Sequence, residues 1–145
     1  MKKNSLILML LAAVMMTSSC KKEKVVDARD QFVGSWSGNG NFTIPDLQIN
    51  YSDVSAQTIT KNSSNSNQIN ISDASESHVA SVNGNSYTYS EYTATVEDPT
   101  LGTMVWIING IGTINGSNIL ESGTVRTVIQ GSTYYGTWSS NLVKQ

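Results

Sequence analysis

Few side chains in this sequence have the type and spacing for chemistry. His78 is the only histidine, so a Ser-His-Asp arrangement would have to use it as its base. It sits in Glu76-Ser77-His78-Val79 at the start of a predicted strand. Serine is so common here that a hydroxyl nearby carries little information, and His78 is expected at the surface. Glu97 and Asp98 could in principle form a glycosidase pair. Adjacent strand residues point to opposite faces, however, and these two precede Pro99 in the connection Asp98-Pro99-Thr100-Leu101-Gly102. A solvated turn is the expectation. Asp73 and Glu76 could bind calcium, but no Asp-x-Asp-x-Asp-Gly loop accompanies them. The glycines punctuate strands and do not open a helix, which removes a phosphate-cradling loop. The sequence therefore predicts no catalytic residues, no metal and no cofactor.

The aromatic residues are better candidates, for binding. Tyr87, Tyr89, Trp106 and Tyr134 lie on neighbouring predicted strands, with Tyr92 and Tyr135 close by. Each tyrosine offers a flat apolar face and a hydroxyl, which suits sugar or protein recognition. Alternating tyrosine is also ordinary filling for a half-buried sheet, so both uses stay open.

The lone cysteine, Cys20, forbids an intrachain disulfide framework and multi-cysteine metal sites. Its surroundings give it a use. Lys2 and Lys3 precede an unbroken apolar run, Leu6 to Met16, and then the small residues Thr17-Ser18-Ser19. That is the layout of a secretory signal peptide, and the run is short of the ~20 residues a permanent span needs. Ser18-Ser19-Cys20 resembles the bacterial lipobox, in which the cysteine is lipidated and becomes the new N-terminus. Thr17 departs from the usual leucine. The alternative is ordinary signal cleavage with a free thiol. The expected organisation is a signal peptide over 1–19, a lipidated cysteine and charged tether over 20–30, and a β domain over 31–145.

Charge divides along the same lines. Lys21, Lys22, Lys24 and Arg29 cluster after the cysteine, whereas from Gln31 onward three basic residues face eight acidic ones. The tether could touch anionic headgroups or simply be solvated. The formal net charge of −2 argues against a nucleic-acid surface.

The elements that must position these groups are strands. Serine, threonine and asparagine make up 49 of the 145 residues, a composition that favours exposed β faces and turns over helices. One helical turn capped by Asp27 is predicted over Asp27–Val33. Beyond it alternation dominates: Phe42/Ile44, Leu47/Ile49/Tyr51, Ile69/Ile71, Tyr87/Tyr89, Tyr92/Ala94/Val96, Val125/Thr127/Ile129 and Tyr134/Gly136/Trp138. The change of phase near Ser90-Glu91 predicts a β-bulge. Met104 to Ile108 is continuously apolar, which predicts a strand covered on both faces. Turns are predicted at Asn83-Gly84, Asn109-Gly110, Asn115-Gly116 and Gln130-Gly131, and a mobile loop tip over Lys61–Asn67. About eight strands without helical crossovers make an all-β antiparallel meander, closed into a small barrel or a tight sandwich.

Gly34-Ser35-Trp36 and Gly136-Thr137-Trp138 are near copies at the two ends of the domain. Antiparallel pairing of the first and last strands could set Gly34 opposite Trp138 and Trp36 opposite Gly136, each indole over a glycine. Alternatively, each tryptophan anchors its own end of the core. Phe32-Val33-Gly34-Ser35-Trp36 is similar to the F-x-G-x-W opening of calycin barrels, among them lipocalins. With the lipobox, the chain resembles small calycin-like lipoproteins of Bacteroidota, many of them uncharacterised. The chain is short for a roomy lipocalin cup, and the later arginine-bearing lipocalin motif is absent. The resemblance implies a fold and a compartment: the bacterial envelope, on the outer membrane, facing the periplasm or the cell surface.

The resulting expectation is a non-enzymatic, monomeric binding or display module. It would be held at the membrane by its lipid anchor, with a protein, a glycan or a small apolar molecule as ligand and no nucleic acid. A barrel-type inhibitor of a lysozyme or protease is the rival, and a hydrolase comes third.

Overall fold

The computed structural model describes residues 26–74, 76–98 and 102–145. The signal peptide, Cys20 and the basic cluster Lys21–Lys24 lie outside the described residues. The predicted alternation becomes eight strands: β1 (Gly34–Ile44), β2 (Ile49–Lys61), β3 (Gln68–Ser72), β4 (Ser77–Asn83), β5 (Ser86–Asp98), β6 (Gly102–Asn115), β7 (Asn118–Ile129) and β8 (Ser132–Lys144). Each pairs antiparallel with the next, and β1 pairs with β8, so the sheet is a closed barrel. Closure pairs the first strand with the last, so neither is left as a free outer edge. The bulge falls where the phase changes, between Tyr89 and Tyr92 opposite β6.

Three expectations about the strands are corrected. The first and last strands do pair, but Trp138 lies opposite Phe42 and Trp36 opposite Lys144. The two Gly-x-Trp motifs therefore do not face one another; the register differs by eight residues from the complementary one. An even shift keeps every side chain on its own face, so both indoles still point inward. Trp36 donates from Nε1 to the Phe32 carbonyl at 2.7 Å, with the Lys144 ammonium 5.3 Å from its ring centre. Trp138 donates to the Asn109 carbonyl at 2.9 Å. Asn109-Gly110 is not a turn but lies inside β6. A Cβ on Gly110 would stand 2.6 Å from the Trp138 ring, so this glycine makes room for an indole. Finally, β6 is not covered on both faces: Met104, Trp106 and Ile108 are buried, whereas Val105 is half exposed.

The strands differ in length, and this shapes the interior. β3 and β4 are short. β3 meets β2 only over Thr58–Lys61, and β4 meets β5 only over Ala80–Asn83. In that half of the barrel all eight strands complete the ladder. Side chains can fill an eight-stranded ring, and Trp36, Ile59, Ile69, Ile71, Tyr87, Ile119 and Leu142 do so. A 3-10 turn, Ala28–Gln31, stops the end, N-capped by the Asp27 carboxylate. It inserts Phe32, fully buried, with its ring edge-on to Tyr87 at 5.2 Å.

This stopper is tied to the loops around it. The Arg29 guanidinium donates to the carbonyls of Asn62 and Asn65 at 3.1 and 3.0 Å. Lys61 pairs with Asp27 and Asp30 at 3.0 and 2.6 Å. Gln31 donates to the Gly84 carbonyl at 2.7 Å. Of the expected mobile tip Lys61–Asn67, Lys61 ends β2 and the Asn62 and Asn65 carbonyls are held by Arg29, and Asp27–Asp30, expected within the tether, pack on the folded domain.

Candidate functional site

The opposite half of the barrel is open. There β2 runs on over residues 49–57 with β1 as its only ladder partner among the described residues, and β5 runs on past β4. Asp73 and Ala74 of the β3–β4 connection line the gap between β2 and β5. In that connection the Asp73 carboxylate accepts from the Glu76 backbone N–H at 2.8 Å. Behind this interruption lies a cavity of about 400 Å³, within the ~300–1,000 Å³ range of small-molecule sites.

The cavity floor is one row of cross-strand neighbours. Tyr87 pairs with Gly112, Gly112 with Glu121, Glu121 with Ser140, Ser140 with Gly40, and Gly40 with Asp53. Strand parity aims this row inward, together with Ile119 and Val125 on β7 and Trp138 and Leu142 on β8. Two glycines shape it. Gly112 lets the Tyr87 ring lie flat across β6, since a Cβ there would be 2.2 Å from the ring. The Tyr87 hydroxyl then reaches Glu121 and donates to Oε1. At Gly40 an added Cβ would meet nothing closer than 3.7 Å, so this position opens onto the cavity.

Glu121 is 5% exposed, and its carboxylate is held by neutral donors. Oε1 accepts from Tyr87 and from the Gln57 side-chain amide at 3.1 Å, and Oε2 accepts from the Ser140 hydroxyl. A buried carboxylate is tolerable only when hydrogen-bonded or paired. Among the described residues its donors are a phenol, an amide and a hydroxyl, with no basic side chain in ion-pair range.

The walls are aromatic. Trp138 stacks on Phe42 at 5.9 Å between ring centres and lies 6.0 Å from Tyr89. His78 stacks on Tyr92 at 4.3 Å, nearly coplanar. Burial and the charge of Glu121 raise the Tyr87 and Tyr89 hydroxyls far above the usual phenol range. Burial first, then Glu76, Asp73 and Glu121, does the same for Tyr92. All three remain neutral donors at any physiological pH. Burial lowers the His78 pKa, partly opposed by Asp73. His78, expected at the surface, is half buried in the cavity wall, and its Nδ1 has no hydrogen-bond partner among the described residues.

The predicted binding residues separate into two groups. Tyr89 lines the cavity, and Tyr87 supports its floor through Glu121. Trp106 is buried behind Phe42, with ring centres 5.3 Å apart, and Tyr134 packs partly buried against the core. Neither lines the cavity. Glu97 lies at the exposed end of β5, where its carboxylate accepts from the Thr103 hydroxyl at 2.8 Å. Glu121, Gln57 and Ser140 were not singled out from the sequence. The signal was present in Ile119-x-Glu121-x-Gly123-x-Val125, where parity sets one acid on the apolar face, the informative kind of exception.

No family model matches the chain, and no curated protein matches it. Among solved structures it is similar to a protein with unknown function from the DUF3598 family of Nostoc punctiforme. That match has 11% identity and a TM-score of 0.45, and covers 80% of this chain and 48% of the other. The chain thus spans about half the length of that protein.

Proposed function

We propose that this is a lipid-anchored, non-enzymatic binding protein of the bacterial envelope whose ligand occupies the open half of the barrel. The observation that carries the binding reading is the cavity of about 400 Å³, walled by aromatic rings and floored by the buried Glu121. Apolar walls with a few converging polar groups are the common form of a small-molecule site. A cavity of this size suits a compact ligand and favours one over the protein or glycan surface also considered from the sequence. The anchor rests on the Ser18-Ser19-Cys20 resemblance and the apolar run before it. Acylation would give lasting attachment, since each buried methylene contributes ~0.8 kcal/mol.

Two experiments test the two parts. Chemical-shift mapping of the full chain with 2-phenylethanol and 2-phenylethylammonium should move the resonances of Gly40, Tyr92 and Trp138. Gly40→Leu, which places a side chain in the cavity, should abolish those shifts while the fold persists. Shifts confined to residues outside the cavity would overturn the binding reading. For the anchor, labelled fatty acid should enter the wild type and not Cys20→Ala, which should leave the membrane fraction. Absence of label from the wild type would reject it.

A further inference from the structure

The polar groups of the cavity are unbalanced in a way that specifies a ligand charge. Among the described residues three carboxylates line it, Asp53, Asp73 and Glu121, and no lysine or arginine does. The donors that the chain places beside these acids are engaged with them. Gln57, Ser140 and Tyr87 donate to Glu121, and the Tyr51 hydroxyl donates to Asp53 at 3.1 Å. The wall also carries the neutral polar groups of Tyr89, Tyr92 and His78, so the net charge offered to a ligand is negative and is set between ring faces. Ring faces carry the negative part of the aromatic quadrupole, so they too favour a cation. An anion would meet three like charges.

We infer that the cavity selects a small organic cation: an ammonium group on a compact apolar body, its charge received by Glu121 and the rim aspartates, its body by Trp138, Phe42 and Tyr92. This inference rests on the reading of the cavity as a ligand site. Glu121 is the anchor, because its carboxylate lies in the least solvated part of the cavity, where a charge-assisted hydrogen bond is strongest. Asp53 and Asp73 act earlier. Carboxylates at the mouth of a low-dielectric cleft raise the local concentration of a cation and speed its entry. The surplus of acidic residues beyond Gln31 gives the barrel the matching overall sign.

The test is a head-group series on one body, using the full chain: 2-phenylethylammonium, 2-phenylethanol and phenylacetate, followed by calorimetry and by shifts of the Trp138 indole N–H. The ammonium should bind at least about tenfold more tightly than the alcohol, and phenylacetate should show no saturable binding. Raising salt should weaken the ammonium and leave the alcohol unchanged. Glu121→Gln should reduce the ammonium to the affinity of the alcohol. Because that variant alters a buried group, Asp53→Asn at the exposed rim serves as the second: it should slow ammonium association severalfold. Equal affinity for ammonium and alcohol, or tighter binding of phenylacetate, would overturn the cationic inference and leave the cavity reading intact. If none of the three binds in the cavity, both fall.

Discussion

Two halves of one barrel use the same strands and the same inward alternation, yet one is filled throughout and the other sets a cavity beside its core of Ile44, Met104, Trp106, Ile108 and Val125. In the filled half the short strands β3 and β4 complete the ring, and the Phe32 turn stops its end. In the hollow half those strands have ended, while β2 and β5 continue without them. Interior volume here is set by strand length and not by strand number. A full ring of eight encloses only enough space for its own side chains. Where the two short strands have ended a cavity remains, lined by Phe42, Trp138 and tyrosine rings together with Gln57, Glu121 and Ser140. Polar side chains can face inward there because a deep carboxylate has Tyr87, Gln57 and Ser140 to satisfy it.

The sharpest way to break this comparison uses two glycines two residues apart on β1. A Cβ on Gly38 would lie 1.8 Å from the Asn141 carbonyl oxygen, whereas one on Gly40 would touch nothing closer than 3.7 Å. Gly38→Ala should cost about 3 kcal/mol or more, because backbone must move. Gly40→Ala should leave stability unchanged or raise it by up to ~1 kcal/mol. Equal costs in urea melts would mean that both positions face the same packing.

Next come the tryptophans. Each alanine substitution should cost ~3–5 kcal/mol, with Trp36 at the upper end and Trp138, already beside a cavity, at the lower. The reverse order would place the void in the wrong half. A smaller effect is expected at Glu121. Glu121→Leu strands three buried donors and should cost about 2–3 kcal/mol. Glu121→Gln keeps an acceptor oxygen and should cost less; a stabilising Glu121→Leu would show that those donors reach water.

The smallest effect is with pH, and its pH window, not its sign, separates the cavity wall from the stopper. The pKa of His78, in the cavity wall at the start of β4, is held below its ordinary 6.5 by burial. Its neutral form is the native one, so its contribution is complete above pH 6.5 and is lost as pH falls from there toward the folded pKa. Asp27, on the stopper, is held below its ordinary 3.8 by Arg29 and Lys61. Its contribution is complete above 3.8 and is lost only as pH falls through the still lower folded value. Wild type minus His78→Phe should therefore show a stability difference that changes between neutral pH and pH 5. Wild type minus Asp27→Asn should be flat over that range. A slope in the second comparison, or none in the first, would contradict these assignments.

Much of this architecture was legible in the residues, and the exceptions share a physical cause. Alternation located six of the eight strands, the apolar run Met104–Ile108 marked β6, the phase change located the bulge at Tyr89/Tyr92, and Asp27 was identified as a cap. These features are local. The β1–β8 register was not local. An eight-residue shift preserves every inward face, so parity could not choose between pairing Trp138 with Gly34 and with Phe42. Asn109-Gly110 looked like a turn because the glycine it needs for packing under Trp138 is also a turn residue. The cavity floor depends on that same register across six strands. Parity alone could mark Glu121 as inward, but it could not bring it to Ser140, Gln57 and Tyr87.

One titration tests most directly whether the cavity is a ligand site. Wild-type protein and Gly40→Leu are each titrated with 2-phenylethylammonium, and shifts are followed at the Trp138 indole. Saturable binding in the wild type, absent from an equally folded Gly40→Leu, is the predicted result. Equal binding by both proteins, or none by the wild type, would contradict it.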